Sequence, residues 1–427
     1  MKDLRPRIAV IFGGISVEHE ISIITGLEFI SALDPRKYVA IPVYISPKGR
    51  WYTGVELLDK NFYRNLKNLD GLLEVTLLPT PNNKSLKILK KPSSQFVKGF
   101  VDLFDKRQLN FAPLKELFDQ VMLRQEIEID CVATLFHGQN GEDGKIQGLL
   151  ELAQIPYTSA DLLPIAMSMN KYVCKEFLRN ENIPSLPAEL IEKSLFQFST
   201  EAVLEQISKN KYLSEYPLFI KPNNLGSSVG VSKVDSSDQL IGALAKVFKY
   251  DQQALVEPCV TSLQEINVSV IEGDQPMTAR SSPVEIPLSL SGVLTYEEKY
   301  LRGGKGAKSS KRASSAQGMA SLSRIVDPKD LPQAIKNKVK GYAERSYLAL
   351  RCSGVVRFDF IHDLATGKIY FNELNPLPGS FSHYLWIKAE PRLLYTDLID
   401  HLLKKAFQRH AEKYSLALDI GFKALFA

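Results

Sequence analysis

One C-terminal stretch constrains this chain more than any other: Arg357-Phe358-Asp359-Phe360-Ile361, a polar gap from His362 to Lys368, then Phe371-Asn372-Glu373-Leu374-Asn375-Pro376-Leu377-Pro378-Gly379. Side chains alternate faces along a strand. Arg357, Asp359 and Ile361 are therefore expected on one face, and Phe358 and Phe360 on the other. On the second run Phe371, Glu373 and Asn375 are expected to share a face. The gap is rich in turn formers and lets the two runs pair as a hairpin. Two carboxylates and an amide oxygen then converge beside a guanidinium. Hard oxygen donors suit Mg²⁺ held together with phosphates, and the guanidinium can hold an anion bidentately. Taken alone, the segment reads equally well as a surface hairpin closed by a salt bridge.

The rest of the chain narrows the choice. A length of 427 residues predicts two or three domains. The net charge of +5 is small for that length, and no basic stretch carries interleaved aromatics, so nucleic acid is not an expected partner. The densest cationic run, Lys305 to Arg312, lies among Gly and Ser and reads as a loop. Cys131, Cys174, Cys259 and Cys352 form no C-x-x-C pair, which argues against a zinc site or disulfide framework and for reduced thiols in the cytoplasm. Neither a signal peptide nor a membrane-spanning run is expected.

Arg7-Ile8-Ala9-Val10-Ile11-Phe12 is a continuous apolar run of the kind buried in a parallel sheet. It ends at Gly13-Gly14, and Ile24, Leu27 and Ile30 then predict a helix. Strand, glycine turn and helix would place backbone N–H groups and a positive dipole end at a ligand. A second strand is predicted over 39–45. Residues 50–127 hold strand-like pieces at 73–78 and 86–89 and an amphipathic stretch near 114–123, without evident chemistry. A strand over 129–136 runs into His137-Gly138-Gln139-Asn140-Gly141-Glu142-Asp143-Gly144, a glycine loop at a strand end, where α/β sheets bind ligands. Met169-Asn170-Lys171 opens a helix to about Asn180. Strands at 217–222 and 231–234 flank Asn223 to Gly230, a Gly/Ser turn whose amides could cover phosphates. Strands are predicted at 254–258 and 265–271, and helices at 332–350 and 393–413.

In this order the pieces resemble a D-alanine–D-alanine ligase of the ATP-grasp superfamily. The matching runs are Gly13-Gly14-Ile15-Ser16-Val17-Glu18-His19-Glu20, His137 to Gly144, Lys221-Pro222 with Gly226-Ser227-Ser228-Val229-Gly230, Glu298-Lys299-Tyr300, Arg357 to Phe360, and Asn372 to Asn375 with Pro378-Gly379. The resemblance implies an α/β, three-domain ATP-grasp fold: an N-terminal parallel α/β domain (1–159, with extra segments at 50–127), a central domain with the Gly/Ser flap (160–260), and a C-terminal catalytic domain with a lid loop (261–427). ATP would lie between the last two. It also implies ATP-dependent phosphorylation of one D-alanine carboxylate and attack by the amine of a second, a chemistry of positioning and charge neutralisation.

The site residues follow from the resemblance. Lys171, Lys221 and Ser228 are expected at the ATP phosphates, Glu257 at the hinge segment that meets adenine, and Glu265 at the ribose hydroxyls. Asp359, Glu373 and Asn375 are expected to hold two Mg²⁺ (or Mn²⁺) ions. Arg357 and the Gly379 N–H would stabilise the tetrahedral oxyanion, and Lys299 the transferred phosphate. Glu18 would hold the ammonium of the first D-alanine and His137 its carboxylate. Ser227 and Tyr300 would complete a hydrogen-bond triad with Glu18. A tyrosine at 300 goes with an amine nucleophile, and its replacement with D-lactate. A homodimer in a bacterial cytoplasm feeding peptidoglycan assembly is implied too.

Four departures stand out. Met169-Asn170-Lys171 replaces Met-Asp-Lys, and proline stands at 258 where lysine is often found. The loop at 303–318 is longer and more basic than usual. Ser380-Phe381-Ser382-His383-Tyr384-Leu385-Trp386 differs where the second-substrate pocket is shaped, and Ser380 and Tyr384 are expected to line it. Two other readings stay open: a ligase joining D-alanine to D-serine, D-lactate or another amino acid, and a nucleotide-binding protein without turnover.

Overall fold

The computed structural model describes residues 4–64, 69, 71–90, 125–226, 229–288 and 324–416. The chain forms two compact units. One comprises Met1–His137, Lys145–Ser159 and Tyr395–Ala427; the other comprises Gly138–Gly144 and Ala160–Leu394.

The first unit holds a seven-stranded sheet: β1 (Arg7–Gly13), β2 (Val39–Ile45), β3 (Trp51–Thr53), β4 (Leu73–Leu77), β5 (Ser85–Lys90), β6 (Glu126–Glu128) and β7 (Cys131–Thr134), in the order β6-β5-β4-β3-β2-β1-β7. β1 pairs in parallel with β2 and β7. Ile8 to Phe12 are fully buried, as a central parallel strand requires. The helix His19–Ala32 crosses from β1 to β2. It lies so close to the sheet that a Cβ on Gly26 would come within 2.5 Å of the Phe12 ring. β3 to β6 pair antiparallel, so part of the 50–127 region is a meander that widens the sheet. The amphipathic stretch near 114–123 lies outside the described residues.

The helix Tyr395–Tyr414, predicted over 393–413, joins this first unit rather than the sheet that precedes it in sequence. Tyr38 donates to Asp400 Oδ1 at 2.7 Å, and Arg409 Nη2 donates to the Tyr157 carbonyl at 3.0 Å.

The second unit carries two sheets. The smaller runs β10-β9-β11-β8, with β8 at Glu189–Glu192, β9 at Leu218–Pro222, β10 at Ser232–Val234 and β11 at Gln253–Pro258, all antiparallel. The larger runs β15-β14-β12-β16-β17, with β12 at Leu263–Glu272, β13 (Ala279–Ser281) beside it, β14 at Glu285–Pro287, β15 at Arg324–Val326, β16 at Val356–Asp363 and β17 at Lys368–Asn375. Val339, Ala343 and Tyr347 of the helix Gln333–Ala349 pack against Val268, Phe358, Phe360 and Phe371 on one face of this sheet. The other face is left for chemistry.

The predicted hairpin is β16 and β17, and its register places Asp359 opposite Glu373 and Arg357 opposite Asn375. One expectation fails. Phe371 does not share a face with Glu373; it lies in the core with Phe358 and Phe360. A β-bulge is the cause: Phe360 pairs with Phe371 while Asp359 pairs with Glu373, so Asn372 is an extra residue. Phe371 and Leu374 thus both reach the core, three positions apart, where a regular strand demands even spacing.

Candidate active site

The site in the second unit is built at the ends of β9 and β11 and on the polar face of the larger sheet. Leu186, Phe219, Val231, Leu263 and Ile361 form apolar walls of a cleft, and Lys171, Lys221, Glu257, Glu265, Asn372 and Glu373 supply its polar lining. An apolar slot whose lining includes two lysines suits a nucleotide, with the base between the walls and the phosphates on the lysines.

Lys171 sits at the start of the helix Lys171–Asn180. Asn170 is the N-cap, and its side chain accepts from Val173 N at 3.0 Å. The asparagine that replaces aspartate therefore keeps the capping function. Lys171 Nζ donates to the Leu225 carbonyl at 2.8 Å and lies 3.4 Å from Glu373. Lys221 Nζ lies 2.8 Å from Glu257 Oε2 and donates to Asn372 Oδ1 at 3.0 Å. The other Glu257 oxygen is taken by Lys175, one helical turn after Lys171. Burial pushes the Lys175 ammonium down to about 8 against the pull of Glu257. Burial alone would raise the Glu257 carboxyl, but Lys175 and Lys221 hold it below its ordinary value. The Glu257 side chain is thus committed to two lysines.

On the sheet, Arg357 grips Asp359 bidentately, with Nε to Oδ1 and Nη2 to Oδ2 each at 2.7 Å. Burial works against the Arg357 charge, and Asp359 more than restores it, so the guanidinium is held well above its ordinary value. Asp359, Glu373 and Asn375 present oxygens on the polar face. Among the described residues no three His, Cys, Asp or Glu side chains form a ready metal cluster. Two carboxylates, one amide and the oxygens of bound phosphates match what Mg²⁺ prefers, a site completed by its substrate.

Gly379 opens a turn in which Ser380, Phe381 and Ser382 all have left-handed backbones, at φ 49°, 52° and 49°. Each such residue costs about 1–2 kcal/mol. Three in succession, all buried, mark a segment whose shape is held by its surroundings. Tyr384 follows on the short helix His383–Trp386 and donates to Glu285 Oε1 at 2.9 Å.

In the first unit, Glu18 is buried at the start of the helix His19–Ala32. His137 Nε2 lies 3.1 Å from Thr25 Oγ1. His19 is fixed between the Gly14 carbonyl, 2.7 Å from Nδ1, and the Tyr44 hydroxyl, 3.0 Å from Nε2. Gly13 has φ +94°, and a Cβ there would come within 2.3 Å of the Ile45 carbonyl oxygen. Ser227, Ser228, Lys299, Tyr300 and the 303–318 loop lie outside the described residues.

The structure adds residues to those expected. Lys175 reads in sequence as an ordinary helix lysine, although its one-turn spacing from Lys171 was a usable signal. Asn372 owes its place to the bulge. Glu285 and Arg324 lie on short strands without any pattern of their own. Cys131, Cys174 and Cys352 are buried, Cys259 is half-buried, and all are free.

Comparisons with known proteins agree with this geometry. The family profile for the D-ala D-ala ligase C-terminus matches residues 177–404, and that for the N-terminus matches residues 7–160. The D-alanine–D-alanine ligase of Caldicellulosiruptor bescii is 31% identical, over 96% of this chain and 97% of its own. That of Thermosipho melanesiensis is 31% identical, over 96% of each chain. Among solved structures, the VanG D-Ala:D-Ser ligase of Enterococcus faecalis superposes with a TM-score of 0.70 at 25% identity, covering 94% of this chain and 99% of its own. The D-alanine–D-alanine ligase of Coxiella burnetii gives a TM-score of 0.71 at 23% identity over 97% of each chain, a likeness of fold. The chain belongs to the D-alanine–D-alanine ligase family, a family of ATP-dependent carboxylate–amine ligases with the ATP-grasp fold.

Proposed function

We propose that this protein joins two D-alanines to D-alanyl-D-alanine at the expense of ATP. One observation carries the reading: a lysine-lined apolar cleft opens beside a sheet face that displays Arg357, Asp359, Glu373 and Asn375 together. A carboxylate oxygen of the first D-alanine attacks the γ-phosphorus and ADP leaves. The amine of the second D-alanine then attacks the acyl carbon, and the carboxylate oxygen departs with phosphate.

Lys171, Lys221 and Ser228 hold the ATP phosphates, and Glu265 takes the ribose hydroxyls. Because the Glu257 side chain is engaged by Lys175 and Lys221, adenine is left to the backbone after β11 and to the apolar walls. Asp359, Glu373 and Asn375 would hold two Mg²⁺ or Mn²⁺ ions, which neutralise charge on the phosphates. Arg357 and the Gly379 N–H receive the tetrahedral oxyanion, and Lys299 the transferred phosphate. Glu18 takes the first ammonium and His137 the first carboxylate. Ser227 and Tyr300 supply hydroxyls for the substrates, and Ser380 and Tyr384 line the second-substrate pocket. Functional boundaries at 159/160 and 260/261, a homodimer, a bacterial cytoplasm and a product used in peptidoglycan assembly complete the reading. Among the described residues no helix is long and apolar enough to cross a membrane.

A second reading, ligation of D-alanine to D-serine or another partner, is favoured by Tyr384 in the second-substrate segment and by the likeness to the VanG structure. A coupled ADP-release assay with Mg²⁺, ATP and D-alanine, with products read by mass, separates the two. Dipeptide from D-alanine alone supports the first. Turnover only when D-serine or D-lactate is added supports the second, and no turnover with any pair refutes the ligase reading.

A further inference from the structure

The helix that carries Lys171 is held in part from outside itself. A helix leaves its first N–H groups without intrahelical partners. The Asn170 side chain takes that of Val173. The two before it go to one residue far away in sequence. Lys171 N donates to the Asn223 carbonyl at 3.1 Å, and Tyr172 N donates to Asn223 Oδ1 at 2.8 Å. Asn223 is fully buried and directly follows β9, where the Gly/Ser turn begins. Its own N–H donates to the Gln253 carbonyl at 3.1 Å, which extends the β9–β11 pairing by one residue.

The side-chain hydrogen bonds run in one direction. The Tyr172 N–H can only donate, so Asn223 turns Oδ1 toward it and Nδ2 away. Nδ2 donates to Gln253 Oε1 at 2.8 Å, and Gln253 Nε2 donates to Glu192 Oε1 at 2.7 Å. A carboxylate only accepts, so the two ends of the chain fix both amides between them. Hydrogen bonds aligned head to tail polarise one another. Asn223 therefore cannot turn its amide over without breaking two of them. Asn170 already caps the helix; a second asparagine from another strand adds a constraint on where the helix starts relative to β9 and β11.

Lys171 thus rests on the start of the turn at both its ends. Its backbone N–H is on Asn223, and its ammonium donates to the Leu225 carbonyl, two residues further on, at 2.8 Å. Asn224, between them, is pinned by Asp251, which accepts from its backbone N at 2.6 Å and from Nδ2 at 3.1 Å.

We propose that Asn223 is a positioning residue for the nucleotide phosphates: it holds Lys171 and the start of the Gly/Ser turn as one piece, and so sets where the Lys171 ammonium meets the phosphates. Asn223 acts through Lys171 and needs no contact with the nucleotide. The assignment rests on the nucleotide reading of the cleft above.

The test is a mutant cycle read by calorimetry of Mg²⁺-ADP binding to the whole chain. Asn223→Leu nearly keeps the volume and removes the side-chain cap and the chain of hydrogen bonds. It should weaken ADP binding about tenfold, the scale of one displaced charge-assisted contact. Lys171→Met should weaken it at least as much. Adding Asn223→Leu to Lys171→Met should then cost less than about twofold more, because the effect passes through the lysine. A loss independent of the lysine would instead multiply in full. Asn223→Ala removes the same groups without bulk and should repeat the pattern. Equal factors in the two backgrounds, or affinity within about twofold of wild type in both Asn223 variants, overturns the proposal. Failure of both variants to fold, read by urea unfolding, makes Asn223 a purely structural residue and overturns it too. Wild-type protein that binds no ADP removes the nucleotide reading itself. Lys171→Met that binds ADP as wild type does leaves that reading standing and removes the role of the lysine, and the positioning with it.

Discussion

Glu257 is the keystone of the buried lysines Lys175 and Lys221, and its removal should be costly in a pH-dependent way. Its carboxylate is 1% exposed and neutralises Lys175, which is fully buried, and Lys221. Glu257→Gln keeps the shape and removes the charge. Two ammonium groups are then left against one amide, and breaking a buried pair from one side costs about 3–5 kcal/mol. Lys175 already titrates at about 8 in the folded protein, against about 10.4 in an unfolded chain. Without its partner its pKa falls further. Between that lower value and about 8 the folded variant has shed a proton that the folded wild type retains. The unfolded states bind protons equally at this residue, so stability of the variant rises with pH relative to wild type, by up to about 1.4 kcal/mol per unit. The deficit should be larger at pH 6 than at pH 8. Urea unfolding in a Trp51→Phe background, where Trp386 alone reports on the second unit, measures it. Adding Lys175→Met should recover part of the loss, since the two residues are coupled. A deficit below about 1 kcal/mol, or one unchanged from pH 6 to pH 8, would refute the reasoning.

Three further outcomes are expected. Asn170→Ala removes the cap bond to Val173 and should cost about 1 kcal/mol in unfolding, while Asn170→Asp keeps it. Gly230→Ala places a side chain at φ +78°, with Cβ 3.1 Å from Pro222 Cγ; it should destabilise by about 1 kcal/mol and raise the KM for ATP. Arg357→Lys loses the two-pronged grip on Asp359 and should lower kcat about 10²–10³-fold with little change in KM for ATP, read by ADP release.

Much of this architecture was legible because periodicity and punctuation agreed. The run at 7–12 became β1, the Arg357 hairpin kept its register through Asp359 and Glu373, and Asn170 still started its helix. The misplacement of Phe371 has a local cause: a bulge inserts one residue, and alternation cannot announce it. Glu285 and Arg324 stayed hidden because their strands are three residues long, too short for any period. Lys175 stayed hidden because its burial depends on Glu257, 82 positions away in sequence. Long-range pairings of this sort leave no mark within a sequence window.

The most direct test of the central claim follows one oxygen atom. D-alanine labelled with ¹⁸O in its carboxylate is turned over with ATP and Mg²⁺, and the inorganic phosphate released is analysed by mass. Activation as an acyl phosphate predicts one ¹⁸O per phosphate, in step with the dipeptide formed. Dipeptide formation with unlabelled phosphate would contradict it.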